Sequence, residues 1–223
     1  MNKKRRNRNQ TSQRIIEALE EVIAERGIEG IGINRIAEKA GVSKVLIYRY
    51  FGGLEGLVIH YVKMGRLFPV FSRAALEQLK PVQEDDLAKI WFKQAVLTYR
   101  FLREFPAGHQ ILRAPLIPDN SIAQIISKAQ DEELTRLVDQ ISFVEGGDTR
   151  AISAVVLSAM SYLTILSAAN QSVMGIELAS EEGWQRIETA VKRIYTALNM
   201  ALMTSETAHI NTHKSDPVVN VLW

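Results

Sequence analysis

The stretch at residues 33–51, INRIAEKAGVSKVLIYRYF, constrains the fold of this chain more than any other. Its first half repeats apolar residues at helical spacing, at Ile33, Ile36, Ala37 and Ala40. Gly41 follows and predicts the end of that helix, because glycine adopts positive φ at little energetic cost. Ser43 then stands where an N-cap belongs, just before a second apolar pattern. The stretch therefore predicts two short helices joined by a sharp turn.

The second apolar pattern runs through Val45, Leu46, Ile47, Tyr48 and Phe51. The small side chain of Ala37 permits close approach of this second helix, and Ile47 is expected to return to the shared core. This arrangement predicts a helix-turn-helix, whose second helix lies in the major groove of DNA. An ordinary αα-hairpin inside a helical bundle is the structural alternative.

The same residues resemble the DNA-binding domain of the tetracycline-repressor (TetR) family of bacterial regulators. The resemblance covers about the first quarter of the chain and is carried by Ile36-Ala37, Ala40-Gly41-Val42-Ser43, Ile47-Tyr48, Phe51, Glu55 and Leu57. Three positions depart from the family pattern, which usually has Thr at Gly32, His at Tyr50 and Lys at Leu54. Because members use those residues largely on phosphates, the departures concern contacts to the DNA backbone and not the fold.

The second helix, expected at about residues 44–50, carries the candidate DNA contacts. Its side away from Ile47 presents Ser43, Lys44, Val45, Tyr48 and Arg49. Lys44 and Arg49 can donate to guanine O6 and N7 or to phosphate, and Val45 can contact a thymine methyl. Tyr48 offers a ring and a hydroxyl to sugar or phosphate, with a partly buried supporting role as the alternative. The resemblance adds Tyr50 to the positions that commonly contact DNA.

Residues 1–10 form a basic arm that carries Lys3, Lys4, Arg5, Arg6 and Arg8. Without an apolar face, this arm is expected to be disordered when free. Arg5 and Arg6 are candidate contacts to phosphates or to the minor groove, and a solubilising tail is the alternative. Residues 1–66 carry 13 Lys and Arg against 7 Asp and Glu, and the remainder carries 14 against 18. This asymmetry indicates that only the front of the chain meets a polyanion.

The rest of the chain is helical in pattern, which predicts an all-α fold. We expect a helix-turn-helix DNA-binding domain at residues 11–53, a helical effector-binding and dimerisation domain at 54–205, and a C-terminal tail at 206–223. The predicted helices lie at about 11–26, 54–79 with a break at Pro69, 86–105, 120–143, 149–174 and 180–203. The last two have broad apolar faces, which predicts that they pair with their copies as a four-helix bundle in a homodimer. The resemblance implies the same arrangement.

Large apolar side chains in the second domain are the candidate effector site: Trp91, Phe92, Tyr99, Phe105, Met160 and Tyr162. Apolar pockets with a few polar groups are typical of small-molecule sites, so an apolar or aromatic effector is expected. Packing within the core is the alternative for each residue taken singly.

Several kinds of chemistry are not expected. The chain has no Cys, which excludes disulfides and thiol catalysis. No nucleotide-binding glycine loop and no Gly-x-Ser-x-Gly elbow occur, so neither an enzyme nor a cofactor is predicted. His209 and His213 have a metal-ligand spacing but no third ligand, so no metal is expected. No signal peptide and no apolar run approaching about 20 residues is visible, so we expect a cytoplasmic protein without a membrane partner.

These patterns together predict a ligand-released repressor that binds an inverted-repeat DNA operator as a homodimer. The alternative is an all-α small-molecule-binding or enzymatic bundle whose basic N-terminal domain does not bind DNA. A further alternative is a helical adaptor whose basic front contacts an acidic protein.

Overall fold

The computed structural model describes residues 3–64, 67–68, 73–79, 86–141 and 148–212, and they form an all-α protein as predicted. The first five helices are α1 (Lys3–Arg26), α2 (Ile33–Lys39), α3 (Lys44–Phe51), α4 (Leu54–Lys63) and α5 (Arg73–Leu79). The next five are α6 (Asp86–Arg103), α7 (Pro106–Arg113), α8 (Ser121–Gln140), α9 (Thr149–Ala168) and α10 (Glu181–Thr212). A two-stranded antiparallel hairpin, β1 (Ser172–Val173) and β2 (Ile176–Glu177), separates the last two helices.

The first three helices pack around one apolar centre. α1 contributes Ile15, Leu19 and Ile23, and each is fully buried. Ile36 from α2 and Ile47 from α3 are fully buried in the same cluster. The spacing of these residues on each helix gives the apolar stripe that helix packing requires.

The turn between α2 and α3 follows from its local sequence. Gly41 has φ 61°, a left-handed conformation that favours glycine. The Val42 amide donates to the Ala37 carbonyl at 2.9 Å, which closes the turn. The Ser43 hydroxyl accepts from the Val45 amide at 3.3 Å and caps α3, as predicted.

α4 joins the three-helix unit to the rest of the chain. Its Leu57, Val58 and Val62 are buried, and the helix packs along α8. At the end of α4, Lys63 forms an ion pair with Glu132 of α8. α1 also packs on α7, so the first three helices rest on the second domain at more than one point.

α6 is central to the second domain, since it packs against α7, α9 and α10. Buried Tyr99 of α6 donates to the Leu157 carbonyl of α9 at 2.8 Å. Exposed Arg100 makes a bidentate pair with the buried carboxylate of Glu188 on α10, with both N–O distances at 2.6 Å. Burial in this interior raises the pKa of Tyr195 on α10 to about 12.

The predicted start of the first helix is wrong. The arm at residues 1–10 is not a separate disordered segment, because α1 begins at Lys3 and runs without a break. This segment contains no Gly or Pro, and its Lys, Arg and Gln residues are good helix formers. The stretch predicted to be helical over 54–79 with a break at Pro69 contains α4 and α5, and Pro69 itself lies outside the described residues.

The C-terminal half also departs from the predicted boundaries. The helix expected to reach residue 174 ends at Ala168, and the hairpin follows, with its turn at Met174 and Gly175 in positive φ. The last helix runs to Thr212, so the tail expected from residue 206 begins inside α10. Residues 213–223, with His213 and the apolar end, lie outside the described residues.

α9 exposes an unusual amount of apolar surface. Its most apolar 18-residue stretch has a mean hydropathy of 1.8, yet only 17% of that stretch is buried within the chain. The expectation that no apolar run approaches membrane-spanning length is therefore wrong by length and composition. Its outward positions recur at helical spacing and are Ala151, Ala154, Val155, Ser158, Ala159 and Tyr162.

Candidate nucleic-acid interface

The outer face of α3, formed by Lys44, Val45, Tyr48 and Arg49, points away from the core. Val45 is 65% exposed and Tyr48 is 57% exposed. Lys44 and Arg49 are exposed beside them, while Ile47 on the opposite side is fully buried. A short helix with exposed cations and apolar groups on one side has the shape and chemistry to enter a major groove.

Two glycines fix the end of α3 beneath Tyr48. Gly52 ends the helix in the left-handed conformation at φ 81°, and its amide donates to the Tyr48 carbonyl. Gly53 has φ 120°, and a Cβ added there would lie 3.2 Å from Cε1 of Tyr48. The ring therefore rests over a residue that has no side chain, which holds Tyr48 outward on the surface.

Tyr50 lies at the side of the outer face and connects it to α1. Its ring is half-buried, and the guanidinium carbon of Arg8 lies 5.3 Å from the ring centroid, within cation–π range. The first turns of α1 therefore lie beside the end of α3. Arg5 and Arg6 belong to these turns by their backbone, and their side chains lie outside the described ones.

The cations near this face differ in how they are engaged. Lys39 of α2 pairs with Glu21 at 3.1 Å and Glu25 at 2.8 Å, and its ammonium lowers the pKa of Glu25. Within the described part of the chain, Lys44 and Arg49 make no ion pair. Their charge is therefore available to a polyanion, whereas that of Lys39 is locally compensated.

The second domain contains two neighbouring cavities. The larger one, of about 500 Å³, lies between α8 and α9 and is open to solvent on one side. The smaller one, of about 30 Å³, is bounded by Trp91 and Tyr99 of α6, residues of α8 and α9, and Tyr195. The two cavities share a wall that is mostly apolar and is formed by Phe68, Leu134, Val138, Ser153 and Leu157.

Residues 15–61 match the family described as bacterial regulatory proteins of the tetR family. Two uncharacterized HTH-type transcriptional regulators from strains of Mycobacterium tuberculosis are 41% identical over 51 residues, 23% of this chain and 25% of theirs. The chain thus matches about a quarter of the length of these curated relatives.

The whole fold also has solved counterparts. The fatty acid degradation regulator FadR from Bacillus halodurans superposes with a TM-score of 0.57 at 18% identity, over 82% of this chain and 97% of that one. FadR from Bacillus subtilis, solved in complex with stearoyl-CoA, superposes with a TM-score of 0.51 at 21% identity, over the same shares. The match to the tetR family thus covers residues 15–61, and the likeness to these solved structures shows the fold of the whole chain.

The residues of α3 and its cap that were predicted to contact DNA lie together: Ser43, Lys44, Val45, Tyr48, Arg49 and Tyr50. Ser43 uses its hydroxyl oxygen as the cap of α3, which leaves its proton free to donate. Arg8 was grouped only with the arm in the sequence, and its stacking on Tyr50 depends on the packing of α1 against α3. Nothing in the sequence around Arg8 indicates that its side chain contacts Tyr50.

The six candidate effector residues separate in the structure. Trp91 and Tyr99 line the small cavity and Tyr162 lines the large one. Phe92, Phe105 and Met160 line neither; Met160 is buried and Phe105 packs on Phe101 with ring centroids 5.1 Å apart. Met160 belongs to the buried core, and Phe92 and Phe105 are partly buried and pack against it.

Sequence reasoning missed the polar members of the large cavity wall, above all Gln130 of α8 and Arg150 of α9. A polar residue on a helix is most often a solvated one, so neither stood out. Gln130 lies three residues after Ser127 and four before Leu134, and both of these also line the cavity. This helical spacing places the three residues on one face of α8, and it is the sequence feature that could have identified Gln130.

Proposed function

We propose that this chain is a ligand-responsive, homodimeric transcriptional regulator, a repressor that releases an inverted-repeat DNA operator when an effector binds. The observation that carries the proposal is the outer face of α3. Two apolar side chains are exposed there on a capped helix, opposite a fully buried Ile47, beside two cations that form no ion pair within the described residues. The membership of residues 15–61 in a family of bacterial regulatory proteins supports it.

Each DNA contact has a separate chemical role in this proposal. Lys44 and Arg49 donate to guanine or phosphate, Val45 meets a thymine methyl, and Tyr48 contacts sugar or phosphate. Ser43 and Tyr50 donate to backbone phosphates from the two ends of α3. Arg5, Arg6 and Arg8 on the first turns of α1 add phosphate contacts that carry no sequence preference.

The dimer is proposed to form through α9 and α10. The apolar stripe of α9 is open to solvent in a single chain, with Val155 72% exposed, and α10 exposes Ile194 and Met200. Burying such a stripe against its own copy gives the closed two-fold interface usual in homo-oligomers. Two recognition helices would then lie roughly 34–36 Å apart, one turn of duplex, which makes the operator an inverted repeat.

The effector is proposed to act through α8. This helix forms a wall of the large cavity on one side and packs against α4 on the other. α4 directly follows α3 in the chain. The C-terminal end of α4 contacts α8 through the Lys63–Glu132 ion pair. An effector that shifts α8 therefore favours a different position of α3, and operator affinity falls by linkage.

The rival proposal is an all-α binding or enzymatic bundle whose basic front is only structural. TetR-family regulators are typically not enzymes, and the described residues hold no group of three potential metal ligands. We propose a cytoplasmic location, because the operator lies there. The exposed apolar surface of α9 then packs against α9 of the second subunit and not against a lipid bilayer.

A gel-shift series on DNA flanking the chain's own gene tests the regulator proposal. We expect binding to one inverted-repeat segment that is at least about 10³-fold tighter than binding to a scrambled duplex. Affinity should fall steeply between about 50 and 200 mM salt, because phosphate contacts release counterions. Equal affinity for both duplexes would refute the operator, and no binding to either would favour the structural role of the basic front.

A further inference from the structure

The large cavity opens beside the surface that is proposed to form the dimer. Its lining on α9 includes three exposed side chains, those of Ala154, Ser158 and Tyr162. The same three side chains belong to the outward apolar stripe of α9. One edge of the cavity mouth and part of the stripe are therefore formed by the same residues.

The order of residues around α9 explains this overlap. An α-helix turns by about 100° per residue, so its residues can be placed in successive sectors around the axis. Leu157 and Ser161 come first and are half-buried in the cavity wall. The three shared residues come next, and Val155 and Ala159 come last, exposed and outside the cavity wall. A surface that packs on the whole stripe therefore also covers this edge of the cavity.

A second edge of the mouth, outside α9, is also exposed. Leu116, at the end of the 3₁₀ turn Ala114–Leu116, lines the cavity and is 63% exposed. The charged lining residues lie away from the shared edge: Asp131 is on α8, and Arg150 is in the first turn of α9, paired with Asp139 at 2.9 and 3.0 Å. Small-molecule sites bury about 70–90% of the surface of a ligand, and a mouth with exposed apolar edges leaves more of it in water.

A second copy of this chain has the chemistry to cover the stripe. Residues 151–162, AISAVVLSAMSY, contain no charged side chain. In a two-fold dimer the same patch meets itself, so an uncharged surface meets an equally uncharged one. Contact between two such stripes removes apolar surface from water and buries no charge.

We propose that the second subunit closes the mouth of the large cavity, so that the effector site is complete only in the dimer. This inference rests on the proposed function, from which it takes the dimer through α9 and the effector cavity. The effector lies against Leu134 and Leu157 of its own subunit, and the second subunit covers it along the shared edge. Because effector binding and dimerisation then favour each other, the effector strengthens the dimer while it weakens operator binding. Operator release therefore occurs without separation of the subunits.

Two neutral dyes, Nile red and N-phenyl-1-naphthylamine, are the probes, and their fluorescence is titrated with the full-length protein. Thr135→Trp identifies binding in the cavity, because Thr135 lines the cavity from α8 and is not part of the α9 stripe. Gln124→Trp, at an exposed position of α8 outside the cavity wall, is the matched control. Only dye binding that Thr135→Trp removes and Gln124→Trp retains is counted, which leaves out dye on exposed apolar surface.

Monomeric variants test the need for the second subunit. Ala159→Arg and Val155→Arg place a cation on the stripe and change no residue of the cavity wall. Both should sediment as monomers with unchanged circular dichroism, and cavity binding of the dyes should fall about ten-fold or more. A ten-fold loss corresponds to roughly 60 Å² of apolar dye surface returned to water. Ala24→Arg, at an exposed alanine of α1, should stay dimeric and bind the dyes as the wild type does.

The reciprocal effect is measured by sedimentation of the wild type near its dimer dissociation constant. Saturating dye should lower that constant by up to about a hundred-fold, since each of the two sites of the dimer contributes about ten-fold. Thr135→Trp should show no such shift, because its cavity is filled by the new side chain.

A monomeric variant that binds the dyes as tightly as the wild type would overturn the inference and leave the proposed α9 dimer unaffected. The inference is also wrong if dye separates the subunits, if dye leaves the dimer constant unchanged, or if the wild type shows no cavity binding of either dye. If Ala159→Arg and Val155→Arg both stay dimeric, the α9 interface itself is refuted, and the inference with it. Gel shifts with the operator are measured without dye, and a failure to bind DNA would refute only the regulator.

Discussion

α3 and α9 both expose apolar residues in the single chain, but the two surfaces differ in charge. On α3, Val45 and Tyr48 alternate with Lys44 and Arg49, all of them outside the core. On α9, the exposed stripe from Ala151 to Tyr162 consists of small, apolar and hydroxyl side chains without a charge. Cations between apolar groups suit a wet, polyanionic groove, whereas an uncharged stripe suits a dry contact with another apolar surface.

The largest effect is expected from a charge in the middle of the α9 stripe. Ala159→Arg places an unpaired cation where the copy should pack, which costs on the order of 3–5 kcal/mol at a buried interface. The protein should become monomeric by analytical ultracentrifugation, and operator affinity should fall by more than about a hundred-fold. Ala24→Arg, at an exposed alanine of α1, is the matched control and should remain dimeric. A dimeric Ala159→Arg protein would place the interface elsewhere.

Two tyrosines with nearly equal exposure separate the two surfaces. Tyr48 of α3 is 57% exposed and Tyr162 of α9 is 56% exposed. Tyr48→Ala should lower operator affinity by roughly 1–3 kcal/mol and leave the dimer intact. Tyr162→Ala should weaken the dimer and leave the affinity of the assembled dimer for DNA unchanged. Gel shifts and sedimentation of both variants measure the two effects, and an unfolded Tyr48→Ala would show that the ring supports the core.

A smaller and less selective effect is expected at the start of α1. The triple change of Arg5, Arg6 and Arg8 to Ala removes phosphate contacts and leaves the outer face of α3 unchanged. Operator and random duplex should lose affinity alike, and the salt slope should fall by up to about 3. Glu17→Ala, at an exposed position of the same helix, is the control for helix content. Loss confined to the operator would mean that the arm reads sequence in the minor groove.

The smallest effect is expected at Gly32, the N-cap of α2. Its backbone is extended at φ −162°, and a Cβ there would have no atom within 4 Å. Gly32→Thr restores the residue usual in the family and adds a capping hydroxyl, so stability should rise by a few tenths of a kcal/mol in urea unfolding. Gly41→Thr is the opposite control, because φ 61° there strains any branched residue by about 1–2 kcal/mol. A destabilised Gly32→Thr protein would contradict this assignment.

The parts of the fold that depend on local chemistry could be predicted from the sequence. The Gly41 turn, the Ser43 cap and the buried Ile47 were all expected and are all present. The helix that starts after Asp148 was also expected from its cap, whose carboxylate accepts from the Ala151 amide at 2.9 Å. The prediction of a disordered arm rests on polar composition alone, but α1 includes this stretch from Lys3 onward because it contains no Gly or Pro that would end a helix.

The sequence by itself determined the helix-turn-helix and the residues on its outer face, because caps, glycine conformations and helical periodicity act over a few residues. Only the tertiary structure decided which distant groups meet, such as Arg8 on Tyr50 and Lys63 on Glu132. It also decided that Phe92, Phe105 and Met160 line neither cavity. Such contacts depend on how whole helices cross, and helix crossing is set by many side chains at once.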